Sequence, residues 1–414
     1  MAGSNGGRHG RRILMALRLY SGLEKSIADG LWQPTGVPTI YRLVEALERQ
    51  QAALKLFLLS RTAASDRQDR DVPMTGLRVV PRLLAATGRV PGWLGAFRPY
   101  VSELRQAWEI WKAARRLRPN IVYVDRGSLW VAGLMARLTR RPVVYRVMGI
   151  SEALTSTWNS RHPVHRVESW LLRAPFAAVI CTLDGSGGEV WMPRLFRPGV
   201  PTHLLINGVD RGATGVRPLS LPSGKTRIGF VGRFEDIKGS LEFLAAFLLA
   251  RAQRPGRLHA VMIGSGPLLP AMQADLARAG AGEDITIIPS LPHREMGSAY
   301  AAFDIYVSLN RQGNLSNANI EAFTAGCCTI VPHGDAASGR DVALDGLFPP
   351  DSLLRIASPD DTAGLAQALL RLHDDPAERQ DRSRRIAAIA EQAIPSWEVR
   401  IDQELRILDA LARP

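Results

Sequence analysis

Cysteine is scarce in this chain: Cys181, Cys327 and Cys328 are the only three in 414 residues. They form no C-x-x-C pair, and the two adjacent thiols cannot easily bridge each other. Neither a disulfide framework nor a cysteine zinc site is expected, and the usage fits a reducing compartment. The eight histidines supply no H-E-x-x-H or other paired metal spacing. Long apolar runs are missing too, since nothing approaches the ~18 residues of a spanning helix. The basic start RHGRRILMALRLY mimics a signal peptide, but Arg18 breaks its short apolar run. Ile13–Leu17 therefore reads as a first strand, and the expected location is cytoplasmic. Low-complexity tracts and internal repeats are absent.

What is present is ordinary globular composition, 46% hydrophobic and 22% charged. The length suits two domains of about 200 residues each. The net charge of +13 is unevenly spread, because residues 1–210 carry 30 Lys+Arg against 15 Asp+Glu. The remainder, with 22 against 24, is nearly neutral. A basic first half prefers an anionic partner: an anionic membrane surface, a phosphorylated acceptor or nucleic acid. Arg-rich solvated helices are the plainer explanation, and RQAWEIWKAARRLRP partly reads so.

Short apolar runs alternate with helical stretches throughout. RILMAL, ALKLFLLS, NIVYVD, PVVYRV, AAVICT and HLLING read as buried strands in the first half. TRIGFVG, LHAVMIG, DITIIP, DIYVSL and CCTIVP do so in the second. Stretches such as Thr39–Gln51, Tyr100–Arg116 and SLEFLAAFLLARA read as the helices between. The alternation predicts an α/β fold of two Rossmann-like, doubly wound domains with parallel sheets covered on both faces. The Gly/Pro/Ser-rich stretch 211–226 is the domain boundary, giving domains over 1–210 and 211–395. SDRQDRD reads as a charged surface loop. Its Asp69-Arg70-Asp71 spells a D-x-D metal motif, but alternating charges favour a solvated segment. Two such domains would meet at a cleft along the carboxyl ends of their strands, where ligands bind.

Four motifs follow strands, and each alone has a structural explanation. In IGFVGRFEDIKGSLEFL a strand ends at Gly232, with Arg233 and Lys238-Gly239 before a helix. That turn suits a diphosphate: backbone close at Gly232, a fork at Arg233 and a point charge at Lys238. It also suits a surface turn, and it is not a Walker A loop. Gly264 and Gly266 in IGSGP give half a dinucleotide fingerprint, or close packing. CTLDGSGGEV carries the same ambiguity, and Asn207-Gly208 in NGVD reads as a turn. Finally, GNLSNANIEAFTAG, residues 313–326, holds a single acidic residue, Glu321. Small and amide residues at a helix start leave N–H groups facing an anion, while Glu321 one turn further in can accept from a sugar diol.

Their order and spacing together resemble the nucleotide-sugar-dependent glycosyltransferases of family 4, which have the GT-B fold. The resemblance is clearest over Leu204–Pro332. SWEVR near Trp397 resembles the family's C-terminal helix, implying that residues from about 396 to 414 return to complete the first, acceptor-side domain. The resemblance makes Arg233 and Lys238 the basic pair on the donor diphosphate, with Gly232 in the same turn. It makes Glu321 the second Glu of a Glu-x7-Glu motif, on the ribose. The amides of Ser316, Asn317 and Ala318 would face the diphosphate, the Leu291–His293 turn the base, and Gly36 the donor from the first domain.

Two positions depart from the family pattern. The first Glu of Glu-x7-Glu would fall at Gly313, with Gln312 or Asn314 as candidate substitutes on the donor sugar. The His expected before Gly149 is Met148, with Arg146 as the candidate replacement. The implied activity is retaining transfer from a UDP-sugar, or a GDP-sugar, to a glycan or lipid-linked envelope acceptor. Cations plus a helix dipole can stabilise the departing diphosphate without a metal, so no metal or other cofactor is expected. Peripheral contact with anionic membrane at the inner face is expected; nucleic-acid binding would leave the second-half motifs unexplained. Two rivals stay open: a nucleotide-sugar epimerase of similar architecture, which needs carboxylates facing the sugar, and a nucleotide-sugar-binding protein without turnover.

Overall fold

The computed structural model describes residues 11–61, 68–86, 97–211 and 219–412. Contacts divide the chain into two compact units. Unit 1 takes the chain up to Thr182, then Trp191–Leu205 and the end from Arg400; unit 2 takes Leu183–Val190 and Ile206–Val399. These boundaries stand in place of single cuts near 210 and 395. The detour at 183–190 has a steric basis inside unit 2. A Cβ on Gly187 would stand 2.6 Å from the Ser338 carbonyl oxygen, and one on Gly185 2.8 Å from the Asn314 nitrogen. Only glycines allow this segment to lie so close against unit 2.

Unit 1 is an eight-stranded sheet. Its strands are β1 (Arg12–Arg18), β2 (Ala53–Leu59), β3 (Arg70–Asp71), β4 (Arg82–Leu84), β5 (Ile121–Asp125), β6 (Val143–Val147), β7 (Ala178–Thr182) and β8 (Thr202–Leu205). Their order is β3-β4-β2-β1-β5-β6-β7-β8, parallel except for β3. Residues of β5, β6 and β7 are buried throughout, as expected where helices cover both faces. Helices Arg98–Leu117 and Leu129–Leu138 bury Ile110, Val131 and Met135 in the cluster on one face. Helix Pro38–Arg49 and the C-terminal helix Trp397–Ala412 supply Leu43, Leu47, Ile401, Leu405 and Leu408 on the other.

The segment expected as a solvated loop differs. Residues 65–67 of SDRQDRD lie outside the described residues, but Arg70–Asp71 pair with β4 as a short antiparallel edge strand. Asp69 holds Arg105 through two bonds of 2.7 and 3.0 Å and accepts from the Ala85 N–H at 2.8 Å. Its carboxylate ties the strand edge to a helix.

Unit 2 has six parallel strands. They are β9 (Thr226–Val231), β10 (Leu258–Ile263), β11 (Ile285–Ile288), β12 (Ile305–Val307), β13 (Cys328–Pro332) and β14 (Leu354–Ile356). Their order is β11-β10-β9-β12-β13-β14. The chain leaves β9 toward β10 and returns to β12 on its other side, so the switch point lies between β9 and β12. In an open α/β sheet that point is where ligands bind, outside the carboxyl ends. Unit 1 has its switch point between β1 and β5.

Candidate functional site

The loops after β9 and β12 flank the switch point of unit 2. After β9 the chain turns at Gly232, makes a single helical turn over Asp236–Lys238, and enters helix Ser240–Gln253 through Gly239. Gly239 has φ 69°, and a Cβ there would stand 2.5 Å from the Leu309 Cβ. Lys238 folds its stem back over Gly232, 3.9 Å from where a Cβ at 232 would be. Burial lowers the Lys238 pKa, while the charges of Asp184 and Glu235 pull it back up. Arg233 is different: its side chain is 72% exposed and pairs with Glu235 at 2.7 Å.

Arg311 fixes the shape of this loop. Its N–H donates to the Ile237 carbonyl at 2.9 Å and its Nε to the Asp236 carbonyl at 3.0 Å. Its Nη2 reaches Glu242 at 2.5 Å and Asp360 at 2.7 Å. Nothing in one dimension marks this arginine, which lies 73 positions beyond Lys238.

After β12 the backbone enters helix Asn317–Thr324 with Ser316 as its N-cap residue, extended at φ −68°, ψ 164°. The Ser316 hydroxyl donates to the Asn319 side chain at 3.1 Å. The N–H groups of Asn317 and Ala318 belong to the first turn, which has no intrahelical acceptors, and they present the positive end of the dipole.

The structure explains the glycine at 313. A Cβ there would overlap the Gly185 backbone and stand 2.7 Å from the Asp184 carbonyl oxygen. No glutamate fits in this packing. Asn314 does not substitute for it, contrary to expectation. Its N–H donates to Asp341 Oδ1 at 2.5 Å and its Nδ2 to Asp341 Oδ2 at 2.7 Å. Its Oδ1 accepts from Ser308 at 2.7 Å. Asn314 is fully buried and structural; Gln312 is exposed. Asp341 is itself buried, and burial pushes its pKa up to about 6 against the lowering effect of the two Asn314 bonds.

Glu321 lies one turn into the helix beside His293, a neighbour the sequence did not connect to it. His293 Nδ1 stands 3.9 Å from Glu321, and His293 Nε2 stands 3.7 Å from Asp210. Burial raises the Glu321 pKa; His293 and the nearby Tyr300 phenol lower it, and Asp210 adds to the rise. NGVD thus does more than turn the chain. Asn207 Nδ2 donates to the Asn317 side chain at 2.7 Å, Gly208 packs against the Trp397 backbone, and Asp210 faces His293. Leu291 anchors its turn on the cluster of Ile263, Met296 and Tyr300.

The paired glycines Gly264 and Gly266 are packing glycines. A Cβ at 264 would overlap the Gly232 carbonyl, and one at 266 would stand 2.8 Å from the Phe234 nitrogen. They let the loop after β10 nest in the loop after β9. In unit 1, Gly36 sits exposed at φ 102° just before helix Pro38–Arg49, in the segment that follows β1. Met148 Sδ lies 3.7 Å from the Thr39 hydroxyl. Arg146 cannot take over the role of the absent histidine. It is fully buried, donates to Thr182 Oγ1 at 2.8 Å, and lies 3.6 Å from Glu404. Lys238 thus lies on the loop after β9, and the 317–318 amides and Glu321 on the segment after β12, the two strands that flank the switch point. No ion pair or hydrogen bond joins Arg233 to Lys238 or to Glu321 among the described residues.

Residues 225–375 match the family model described as Glycosyl transferases group 1. The chain is 27% identical over 319 residues to the 2-deoxystreptamine glucosyltransferase of Streptomyces kanamyceticus, covering 72% of this chain and 78% of that one. It is 25% identical over 279 residues to the glycogen synthase of Mycobacterium tuberculosis, covering 65% of this chain and 64% of that relative. Among solved structures, the sucrose-phosphate synthase of Thermosynechococcus elongatus superposes with a TM-score of 0.69 at 18% identity, covering 97% and 99% of the two chains. Anabaena HepE in complex with UDP superposes with a TM-score of 0.66 at 16% identity, covering 96% and 100%.

Proposed function

We propose, for a chain that is a nucleotide-sugar glycosyltransferase of the GT-B fold, that unit 2 binds a UDP-sugar and that the chain moves the sugar, with retention, to a glycan or lipid-linked envelope acceptor. The observation that supports the donor assignment is that Lys238 and the 317–318 amides with Glu321 follow the two strands flanking one switch point. As the bond from the anomeric carbon to the diphosphate oxygen breaks, negative charge collects on the leaving group. In this reading Lys238 and the helix N-terminus balance it, and Arg233 exchanges Glu235 for a phosphate oxygen when donor arrives. Glu321 accepts from the ribose hydroxyls. UDP in the solved HepE complex supports the choice of base. The basic balance of residues 1–210 supports an anionic or membrane-borne acceptor.

The test is a thermal-shift screen of nucleoside diphosphates and their sugars. At a hundredfold excess over Kd, the favoured donor should stabilise the chain by about 2.7 kcal/mol. UDP and a UDP-sugar should raise Tm while UMP and GDP do so less; no shift with any of them would overturn the assignment. A second expected result concerns pH. The ionised Glu321 offers both oxygens as strong acceptors for a diol, whereas protonation turns one into a donor, and burial moves its pKa upward. Donor affinity should therefore fall on acidification at a higher pH than an exposed glutamate would dictate. His293→Ala removes the lowering influence and should move that loss to higher pH still; Asp210→Asn should move it down. Calorimetric Kd values across pH decide this, and identical profiles for all three proteins would remove the bridge from the mechanism.

A further inference from the structure

The mechanism leaves the outer layer of unit 1 unused. Helices Arg98–Leu117, Leu129–Leu138 and Pro163–Leu172 pack side by side on one face of its sheet. Each lies on a crossover between parallel strands, so all three run the same way and end at the amino edge of the sheet. Large apolar side chains of these helices stand in solvent: Leu117, Leu138 and Trp170 in the last turns, and Trp108 and Val167 midway along, each more than a third exposed. Seven of the twelve exposed large hydrophobics among the described residues lie on these three helices or at Phe97 beside them, so the exposure is concentrated. Scattered exposed leucines need no cause, but a grouped apolar patch marks a contact surface.

The rings alternate with guanidinium groups. Arg137 lies over Trp170 at 3.8 Å, Arg115 lies over Trp111 at 4.8 Å, and Trp111 stacks on Trp108 at 4.7 Å. Arg116, Arg140, Arg141 and Arg166 have no carboxylate partner among the described residues. Arg166 and Arg173 also line a cavity of about 300 Å³ with Thr157, Asn159, Ser160 and Trp170. Cations at helix C-termini are favoured by the dipole, which accounts for Arg115 and Arg116. The dipole does not account for exposed tryptophans beside them. Amphipathic rings interleaved with uncompensated arginines are the composition of a surface that lies in a membrane interface and attracts anionic headgroups.

We infer that this layer, centred on Trp108, Leu138 and Trp170 and ringed by Arg116, Arg140, Arg141 and Arg166, docks on an anionic bilayer, with a headgroup phosphate seated between Arg166 and Arg173. Docking by this end leaves the carboxyl edge of the unit 1 sheet, where Gly36 follows β1, uncovered. The inference depends on the surface of unit 1 and not on donor chemistry.

Sedimentation of the full chain with vesicles tests it. Binding should need phosphatidylglycerol, be absent with phosphatidylcholine alone and fade as salt rises. Arg140→Glu combined with Arg141→Glu should lower partitioning at least about tenfold. Trp108→Ser combined with Trp170→Ser should lower it by a similar factor, while Leu249→Ser in unit 2 leaves it unchanged. In the unaltered chain, brominated lipids should quench tryptophan fluorescence, a readout that needs no variant. Equal binding to neutral vesicles, absence of quenching, or unchanged partitioning in both double variants would overturn the inference. UDP-dependent thermal stabilisation, measured on the same variants, should persist. Its loss in the unaltered chain would count against the donor assignment and leave the docking surface standing.

Discussion

Lys238→Ala should lower kcat by about 10²–10³-fold, the range seen when one preorganised charge-stabilising donor is lost. The expectation rests on where the ammonium is held. Arg311 pins the carbonyls of Asp236 and Ile237, so the turn presenting Lys238 is set before any ligand arrives. Lys238 is half-buried, and burial lowers its pKa; a partly desolvated charge of this kind binds an anion more strongly than one in water. KM for donor should change much less than kcat, because the leaving diphosphate gains charge only as the sugar departs. Arg233→Ala should cost less, since the guanidinium is mostly exposed and already paired with Glu235. Comparable kcat for Lys238→Ala and the unaltered protein would remove Lys238 from the chemistry. Arg311→Ala makes an informative companion: a positioning residue should lower kcat while leaving donor thermal stabilisation detectable.

The strands were legible because a parallel sheet covered on both faces demands continuous apolar runs. The helical stretch SLEFLAAFLLARA was legible too, and forms all but the last residue of helix Ser240–Gln253. The strand-loop-helix turns after β9 and β12 were legible from glycine, cation and amide placement. What stayed hidden depends on pairs distant in sequence. Gly313 is glycine because Gly185 lies against it, and Asn314 is structural because Asp341 takes its donors. Asn207 and Asn317 meet across 110 positions, so NGVD read as a turn when its side chains also brace the candidate site. The glycines of IGSGP were ambiguous between anion binding and packing until their neighbours, the Gly232 and Phe234 backbones, were known. Arg146 invited a functional assignment by its place at a strand end. Its alternation into the core, toward the C-terminal helix, could not be seen without that helix.

Glu404→Gln should destabilise unit 1 by about 3–5 kcal/mol, the cost of breaking a buried ion pair from one side. Glu404, Arg146 and Arg400 are fully buried. The carboxylate stands 2.9 Å from Arg400 and 3.6 Å from Arg146, and accepts from the Tyr123 hydroxyl at 2.5 Å. It is the shared anion of two cations, so neutralising it leaves two buried guanidinium groups facing each other. Burial alone would raise the Glu404 pKa, but Arg146 and Arg400 outweigh it and the pKa lies below the ordinary value. A depressed carboxylate pKa contributes stability above the unfolded pKa and loses it as pH falls through the folded one. The unaltered protein should therefore lose stability on acidification below the ordinary glutamate range, and Glu404→Gln should lack that component. Replacing the whole cluster at once, as Arg146→Met, Glu404→Leu and Arg400→Met, should cost far less than the single change, because no unpaired charge remains buried. Denaturant midpoints for the three proteins measure the difference. A single variant as stable as the parent would mean that water or another acceptor already compensates the arginines, and that the C-terminal helix is held by its apolar face, Ile401, Leu405 and Leu408, without the ion pairs.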